Sequence, residues 1–387
     1  MYSEGRPLRA AFLFLCIIMT IGEFAHWLEL RAPLRLQESY DNSGLLVGRR
    51  DRPLTGVLCC LDADEAVVQE AVSRGCNLVL SHHPVIFKGL KQITGATAVE
   101  RTVELAISSG VALYAGHTNW DSIPGGVSFS LAKRLGIRDA EIMMPRSGEL
   151  LTWVVYVPSN HAEAVEQAAY SAGAGRSGAY DQCHFASPGT GTFRPLQGSN
   201  PYVGEQVVQT RSAELHLEFL VPKAAKEAVQ KAVLQVHPYE VVAHSWIAIE
   251  NQWDGAGYGA VGNLPKPMEL KDFLQVCAQN LGSDCIRYSR SDSSRILSRV
   301  AVCGGSGVDF ISAAAASGAD AYVTGDGKYH AFQDMPKDLV LIDVGHGESE
   351  RPFIDDWAEA IRLEFTTFAV HISTTENHPV STYKRHG

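Results

Sequence analysis

The chain has 387 residues, of which 45% are hydrophobic and 20% are charged, and its formal net charge at pH 7 is −10. These values are typical of a folded protein with two or three domains of about 150 residues each, and they exclude a largely disordered or collagen-like chain. An acidic chain is a poor general partner for nucleic acid, so an anionic ligand would need a local site such as a metal ion.

The first 18 residues are interpreted as an N-terminal extension. Arg6 and Arg9 precede a short apolar stretch that resembles the core of a signal peptide. This stretch is too short to span a bilayer as a helix, and no clear cleavage site follows it. A misassigned start is one explanation of the extension, and an export signal is the alternative. The first helix is predicted to begin at Thr20, a residue type that commonly caps helices.

Short apolar strands then alternate with helices, which is typical of parallel βαβ units. In the first part of the chain, strands are predicted over 56–61, 77–80 and 111–115, and helices over 64–73, 102–109 and 127–135. In the last third, strands are predicted over 299–303, 319–324 and 340–344, and helices over 270–281, 308–317 and 351–363. The polar tail after about residue 373 is predicted to be loosely held.

The middle of the chain, residues 146–250, has a different pattern. Strands are predicted over 151–158, 214–221 and 241–249, helices over 161–172 and 224–236, and the segment 173–204 is rich in Gly, Pro, Ser and aromatic residues. This order predicts a small ferredoxin-like α+β insert between two α/β halves. The predicted limits are 1–18 for the extension, 19–145 and 251–379 for the halves of the α/β core, 146–250 for the insert and 380–387 for the tail.

None of the eight cysteines forms a C-x-x-C pair, and several lie in apolar runs such as 57–61. Buried free thiols in a reducing cytosol are therefore favoured over disulfides or a thiolate zinc site. We expect a cytoplasmic protein that does not interact with a membrane.

Three clusters of chemically active side chains each follow a predicted strand: Ser-His-His-Pro at 81–84, His-Thr-Asn-Trp-Asp at 117–121 and His-Gly-Glu-Ser-Glu at 346–350. Ligands of open α/β sheets bind beyond the carboxyl ends of the strands. The clusters would therefore share one edge if the two halves share a sheet or face each other.

Each cluster also has a plain structural explanation. With 14 histidines in 387 residues, about half an adjacent pair such as His82-His83 is expected by chance. His346 and Glu350 are four residues apart, so they share one face if a helix begins there, as surface pairs also do. Taken together, however, imidazoles and carboxylates suit zinc, iron, manganese or nickel, and the set is large enough for two ions. The residue types alone leave both readings open.

Two glycine-rich segments are predicted to have structural roles. The segment 303–307 (Cys-Gly-Gly-Ser-Gly) lies between a strand and a helix and could cradle a phosphate, but it matches no phosphate-binding fingerprint, so a tight turn is favoured. The segment 255–262 fits G-x-G-x-x-G only loosely and is predicted to mark the return of the chain from the insert. No G-x-S-x-G elbow is present, so a serine hydrolase is disfavoured.

Five separated motifs resemble the Nif-three-like family, whose members are also called GTP cyclohydrolase I type 2 homologues. They lie at 39–48, 81–84, 117–121, 324–326 and 345–350, and the resemblance covers residues 19–379. Residues 173–195 and 237–240 resemble the CutA/PII-like insert of the longer bacterial members. Tyr40 departs from the family, which usually has Trp at this position.

The resemblance implies two α/β halves that form one centre with two divalent metal ions per chain, and a toroidal homohexamer. The metal ligands that it implies are His82, His83, Asp121, His346 and Glu350, with Glu350 as our choice of bridging carboxylate. His117 would line the same pocket, either as a general acid or base or as a residue that orients a ligand.

Two functions are expected from this resemblance. The first is a metal-dependent hydrolase, which for a GTP-like substrate would attack the imidazole carbon of the purine. The second is a non-enzymatic metal-bearing ring that binds a regulator, nucleic acid or a partner protein, with a nucleotide or other small molecule as a candidate ligand. Of these, nucleic acid is disfavoured by the net charge. A third reading makes the insert only a lid over the metal cleft.

Overall fold

The computed structural model describes residues 19–375, 379–381 and 383, and the extension predicted over 1–18 lies outside the described residues. The helices found along the described chain are α1 (Ile21–Arg31), α2 (Glu65–Ser73), α3 (Ala98–Ser109), α4 (Thr118–Asp121), α5 (Val127–Arg134), α6 (Ala162–Ser171), α7 (Lys226–Val236), α8 (Leu270–Leu281), α9 (Ile311–Ala316), α10 (Tyr329–Gln333) and α11 (His346–Glu364). The strands found in the same residues are β1 (Gly44–Val47), β2 (Gly56–Cys60), β3 (Leu78–Ser81), β4 (Ala112–Ala115), β5 (Arg138–Ser147), β6 (Leu150–Pro158), β7 (His184–Phe193), β8 (Thr210–Pro222), β9 (His244–Ile249), β10 (Gln252–Glu269), β11 (Arg287–Tyr288), β12 (Ile296–Val302), β13 (Ala321–Thr324), β14 (Val340–Asp343) and β15 (Ala369–Ile372).

The chain forms two compact units. Among the described residues, the first comprises 19–31, 40–117, 354–375 and 379, and the second comprises 32–39, 118–353, 380, 381 and 383. The chain passes between the units after Arg31, after Ser39, after His117 and, within α11, after Phe353.

A five-stranded sheet organises the first unit, in the order β1-β4-β3-β2-β15. Four of its strands, β4, β3, β2 and β15, run parallel, and β1 pairs antiparallel with β4. Val67, Val68 and Ala71 of α2 pack with Val103 and Ala106 of α3 in the core on one face of this sheet. Strands β2, β3 and β4 are buried along their whole length, which explains their continuous apolar sequences.

The second unit contains a six-stranded sheet in the order β11-β14-β13-β12-β10-β5. Strands β12, β13 and β14 are parallel, whereas β10 and β5 extend the sheet in antiparallel fashion. Both units therefore contain neighbouring parallel strands joined through helices, which confirms the prediction of a mixed α/β protein with two similar halves.

The second unit also carries a separate four-stranded antiparallel sheet in the order β7-β8-β6-β9. Helices α6 and α7 and the strands form a βαββαβ order. The prediction for the middle of the chain contained both helices and three of these strands, but not β7. Trp153 of β6 and Phe219 of β8 lie in its core with Val165 of α6 and Val229 of α7. This sheet thus has an apolar core of its own.

The structure differs from several of the predicted element limits and adds strands that were not predicted. Strand β7 lies in the segment 173–204, which showed no strand pattern, because β7 is an edge strand with mostly exposed or half-buried residues. Helix α3 begins at Ala98, four residues before its predicted start, because the Thr97 side chain caps it by accepting the Glu100 N–H. Helix α11 begins at His346, five residues before its predicted start, and Pro352 lies within it.

Helix α1 begins as predicted. The Thr20 hydroxyl accepts the Glu23 N–H at 3.1 Å, and the Glu23 carboxylate accepts the Thr20 N–H at 2.7 Å. This reciprocal pair is a capping box, which satisfies two groups at once.

The cysteines follow the predicted pattern. Those at 59, 60, 76, 277 and 303 are buried, and no disulfide joins any of the cysteines that the structure describes. A search of the described residues finds no helix with both the length and the apolar character needed to cross a membrane.

Candidate metal centre

Three histidines converge in the first unit, at the carboxyl ends of two neighbouring parallel strands. His82 and His83 directly follow β3, and His117 follows β4 after one intervening residue. One ring nitrogen from each lies within 4.8 Å of one from each of the others. His82 is fully buried, whereas the other two side chains are partly accessible. The sequence thus placed these imidazoles at the same sheet edge correctly.

Each of the three rings is held by a hydrogen bond at Nδ1. The Gly116 carbonyl lies 2.8 Å from Nδ1 of His82. The Asp62 carboxylate lies 2.8 Å from Nδ1 of His83, and the Asp41 carboxylate lies 2.7 Å from Nδ1 of His117.

A carbonyl or carboxylate oxygen accepts from an N–H, so these contacts place the ring proton on Nδ1 of each neutral imidazole. The lone pair is then on Nε2, the form in which histidine binds metals. Acceptors that fix the tautomer in this way are typical of metal-binding histidines. The donor set therefore fits an imidazole-bound divalent ion.

The Asp41 side chain, which holds His117, is fully buried. It also accepts the Asn42 N–H at 2.6 Å and the Ser43 hydroxyl at 3.0 Å. These donors stabilise the buried carboxylate and fix its direction toward the imidazole. Tyr40, where the family usually has Trp, is exposed and lies 6.3 Å from the Phe87 ring, centroid to centroid.

A second group of candidate ligands lies in the second unit. His346 and Glu350 occupy the first two turns of α11, and His346 Nε2 lies 3.2 Å from a Glu350 carboxylate oxygen. Asp326, at the end of β13, lies 2.8 Å from Nδ1 of the same histidine. His346 thus repeats the arrangement of the three histidines of the first unit, and the predicted i, i+4 pair on one helix face is present.

The glycine-rich turn after β12 packs against this pair. A Cβ on Gly305 would lie 2.3 Å from a Glu350 carboxylate oxygen, and this glycine has a φ of +65°. Its N–H donates to Ser349 Oγ at 2.8 Å, and the Gly307 N–H donates to Thr324 Oγ1 at 2.9 Å. Since side chains of this unit already take up these N–H groups, the structure supports a tight structural turn rather than a phosphate cradle.

The other glycine-rich segment, 255–262, lies within β10. A Cβ on Gly257 would lie 2.3 Å from the Met144 carbonyl oxygen, so the glycine permits close approach of neighbouring strands. The segment is not the start of a helix, which a dinucleotide-binding turn requires.

Asp121 ends the short helix α4 in the second unit. Burial, together with the negative charges of Asp121 and Glu350, raises the pKa of the Cys303 thiol to about 12. Both carboxylates therefore act on the same buried thiol, which stays protonated at neutral pH and is a poor metal ligand.

The structure adds residues to which the sequence assigned no role. Asp41 and Asp326 lie inside the motifs that carry the family resemblance, and Asp62 follows β2 outside them. The carboxylates of all three accept hydrogen bonds from Nδ1 of candidate site histidines. Asp62 and Asp326 lie just beyond strand ends, and this position was the available signal for them, because the ends of neighbouring parallel strands lie together. Asp41 precedes β1, so this signal did not mark it.

The fold and the histidine–carboxylate groups thus define a mixed α/β protein with the residues for a metal site. Residues 19–379 match the family model Duf34/NIF3 (NGG1p interacting factor 3), and the chain belongs to this family. It is 38% identical over 325 residues to a protein of Halalkalibacterium halodurans named GTP cyclohydrolase 1 type 2 homolog, covering 84% of this chain and 86% of that protein. A Bacillus subtilis protein of the same name is 37% identical, covering 79% of this chain and 82% of its own length.

Solved structures agree with this assignment. A Bacillus cereus protein described as related to NIF3 has a TM-score of 0.82 and 34% identity, covering 95% of this chain and 100% of that one. A Staphylococcus aureus protein has a TM-score of 0.74 and 28% identity, covering 94% and 99% of the two chains.

Proposed function

We propose that this protein is a hydrolase that uses two divalent metal ions per chain. The proposed ligands are the five side chains implied by the family motifs: His82, His83, Asp121, His346 and Glu350. The observation that carries the proposal is the hydrogen bond at Nδ1 of His82, His83 and His117, because an acceptor at Nδ1 places the lone pair of each neutral ring on Nε2, the form in which histidine binds metals.

The bound ions would lower the pKa of a water molecule and polarise the bond under attack. The side chains of the protein would bind and transfer the protons of this hydrolytic reaction. The Asp41 carboxylate fixes the orientation of the His117 imidazole, and we propose this imidazole as the general acid or base that transfers a proton to the leaving group. His117 alternatively serves as a further ligand, since its ring lies 5.2 Å from that of His82, centroid to centroid.

The proposed substrate class is a purine nucleotide, with hydrolytic opening of the imidazole ring. Support comes from relatives named GTP cyclohydrolase 1 type 2 homolog. The site residues themselves fit hydrolysis in general, because imidazole and carboxylate ligands are common to many metal-dependent hydrolases.

Metal content of the purified protein tests the site directly. Asp121→Asn and His346→Ala are each expected to lower the metal content below two ions per chain in native mass spectrometry. His26→Ala is the matched control, because His26 is exposed on α1. Full retention of two ions by both site variants would refute the proposed ligand set.

Turnover tests the reaction. Protein loaded separately with zinc, manganese, iron or nickel is incubated with GTP, and ring opening is followed by chromatography. We expect turnover that His346→Ala abolishes and His26→Ala preserves. Metal-loaded wild-type protein without turnover would favour the second candidate function.

That second candidate is a non-enzymatic metal-binding ring that acts as a regulatory or binding module. It is favoured by the separate four-stranded sheet, whose own apolar core is suited to an independent binding function. We further propose assembly into a homohexamer, as the family resemblance implies, and a location in the cytoplasm, as the buried free thiols favour. Light scattering after size-exclusion chromatography tests the assembly, and a monomeric mass would contradict it.

A further inference from the structure

A pocket lies on the sheet β7-β8-β6-β9, on the face opposite helices α6 and α7. Side chains alternate across a strand, so Leu217 and Phe219 of β8 enter the core with α6 and α7, whereas Glu214 and His216 point to the opposite face. Strand β7, the loop 199–202 and the segment 239–243 border a cavity of about 730 Å³ on this face. This volume suits a small organic molecule.

A buried carboxylate is the central polar group of this pocket. Glu214 is only 8% exposed, and its Oε1 accepts the Tyr239 hydroxyl at 2.6 Å. The described residues provide no hydrogen-bond donor to Oε2. A carboxylate taken out of water is costly unless donors satisfy its lone pairs, so Oε2 favours a ligand that brings an N–H group.

Two neighbouring residues, Gly191 and Tyr239, accommodate the Glu214 carboxylate. A Cβ on Gly191 of β7 would lie 2.4 Å from Glu214 Oε2, so the strand leaves room for the carboxylate only because this residue is glycine. Burial and the hydrogen bond to Glu214 raise the pKa of Tyr239 to about 12. Tyr239 therefore remains a donor at neutral pH and does not add a competing negative charge.

Aromatic rings form much of the remaining wall. Tyr156 stacks on His216 with 5.1 Å between ring centroids, and Tyr239 lies 6.1 Å from Tyr202 and 6.3 Å from Phe193. The faces of Tyr and Phe rings attract cations.

The charges of the lining also favour a cation. Its acidic residues are Glu214 and Glu240, and its basic residue is Arg194, which is exposed. Glu240 is itself exposed and accepts the Asn200 N–H at 3.2 Å. The buried charge that faces a ligand is therefore negative.

We propose that this pocket binds a compact organic cation with N–H donors, an amine, amidine or guanidinium joined to an apolar or aromatic body. The N–H groups would donate to Glu214 while the tyrosine rings cover the charge and the body. A quaternary ammonium group satisfies only the second requirement, because it has no N–H to donate. This site lies entirely within residues 156–243 and is independent of the proposed metal chemistry.

Three probes with one body and different charges test the proposal on the full-length protein: phenethylamine, 2-phenylethanol and 3-phenylpropionate. Saturation-transfer NMR and calorimetric titration should show phenethylamine binding at least about tenfold more tightly than the other two. Glu214→Gln should weaken phenethylamine by about 10- to 100-fold, the effect of losing a charge-assisted hydrogen bond. Glu163→Gln is the matched control, since Glu163 is exposed on α6, on the other side of the sheet, and does not line the pocket.

Tyr202→Ala provides a variant outside the sheet, because Tyr202 is half exposed in a loop. It should weaken phenethylamine more than 2-phenylethanol, since the ring contributes to cation binding. Metal content measured on the same samples should be unchanged, which separates this site from the proposed hydrolase. Equal binding of the three probes, no phenethylamine binding up to about 10 mM, or unchanged binding to Glu214→Gln would each overturn the proposal.

Discussion

Glu70 provides a quantitative test of how the end of the described chain is held. This α2 residue is 7% exposed and lies in the first unit with the segment that follows β15. Its carboxylate accepts hydroxyl groups from Ser373, Thr374 and Thr375 and the N–H groups of the last two, at 2.7–3.2 Å. Arg74 adds an ion pair at 2.7 Å. The polar tail is thus anchored up to residue 375, where the sequence predicted loose attachment.

These contacts make the stability depend on pH. Burial alone raises the pKa of Glu70, but the hydrogen bonds from Ser373, Thr375 and Thr374 outweigh it and lower the pKa from 4.5 to about 2. A lowered pKa stabilises the folded state above pH 4.5, and this contribution is lost as the pH falls toward 2. The full shift corresponds to about 3 kcal/mol, of which linkage predicts a loss of about 2 kcal/mol between pH 6 and pH 3.

The test compares Glu70→Gln with wild-type protein in urea unfolding and in hydrogen exchange of the Thr374 and Thr375 amides. The variant should be less stable by about 3 kcal/mol at pH 6, and the difference should shrink by about 2 kcal/mol at pH 3. Glu65→Gln is the matched control on α2, because Glu65 forms only an exposed ion pair with Arg101 and should change stability by less than about 1 kcal/mol. A pH-independent difference between Glu70→Gln and wild type would refute the reasoning.

Three further predictions concern the candidate metal centre and its surroundings. Asp62→Asn removes the charge that orients its histidine partner and should weaken metal binding by about 10- to 100-fold in chelator competition, and unchanged affinity would count against the orienting role. Gly305→Ala places a Cβ against a buried carboxylate and should lower metal content, whereas Gly318→Ala has a similar positive φ but no atom within 4 Å and should retain it. Iodoacetamide at pH 8 should alkylate exposed Cys285 but not Cys303, whose pKa is raised to about 12 by burial and nearby carboxylates, and equal labelling would contradict this.

The sequence predicted the parallel strands well because a strand buried on both faces is apolar throughout. Strands β2, β3 and β4 carry this signal, and their ends agree with the predicted ones to within one residue. Strand β7 was missed for the opposite reason. Its glycines, proline and serine lie at an exposed sheet edge, where side-chain burial leaves no periodic pattern. Its pairing with β8 is a long-range contact that local sequence does not encode.

The residues of the candidate site also divide into those that the local sequence could identify and those that depend on long-range contacts. His82, His83 and His117 could be proposed from sequence because each directly follows an apolar strand. Their hydrogen-bond acceptors could not be assigned, because Asp41 and Asp62 contact the histidines across more than 20 residues of chain. Contacts of this kind depend on strand order, and the sequence alone did not determine that order.

The hydrogen bonds at histidine Nδ1 connect the fold to the proposed metal binding. A neutral imidazole can carry its proton on either nitrogen, so residue identity alone does not make Nε2 available. In this protein the acceptors at Nδ1 come from Gly116 after β4, Asp62 after β2 and Asp326 after β13. Parallel strands bring such residues to one edge of each sheet. The order of the strands therefore also determines which histidine nitrogen carries the lone pair that can bind a metal. A change that reordered the strand ends would therefore disturb metal binding even with every proposed ligand retained.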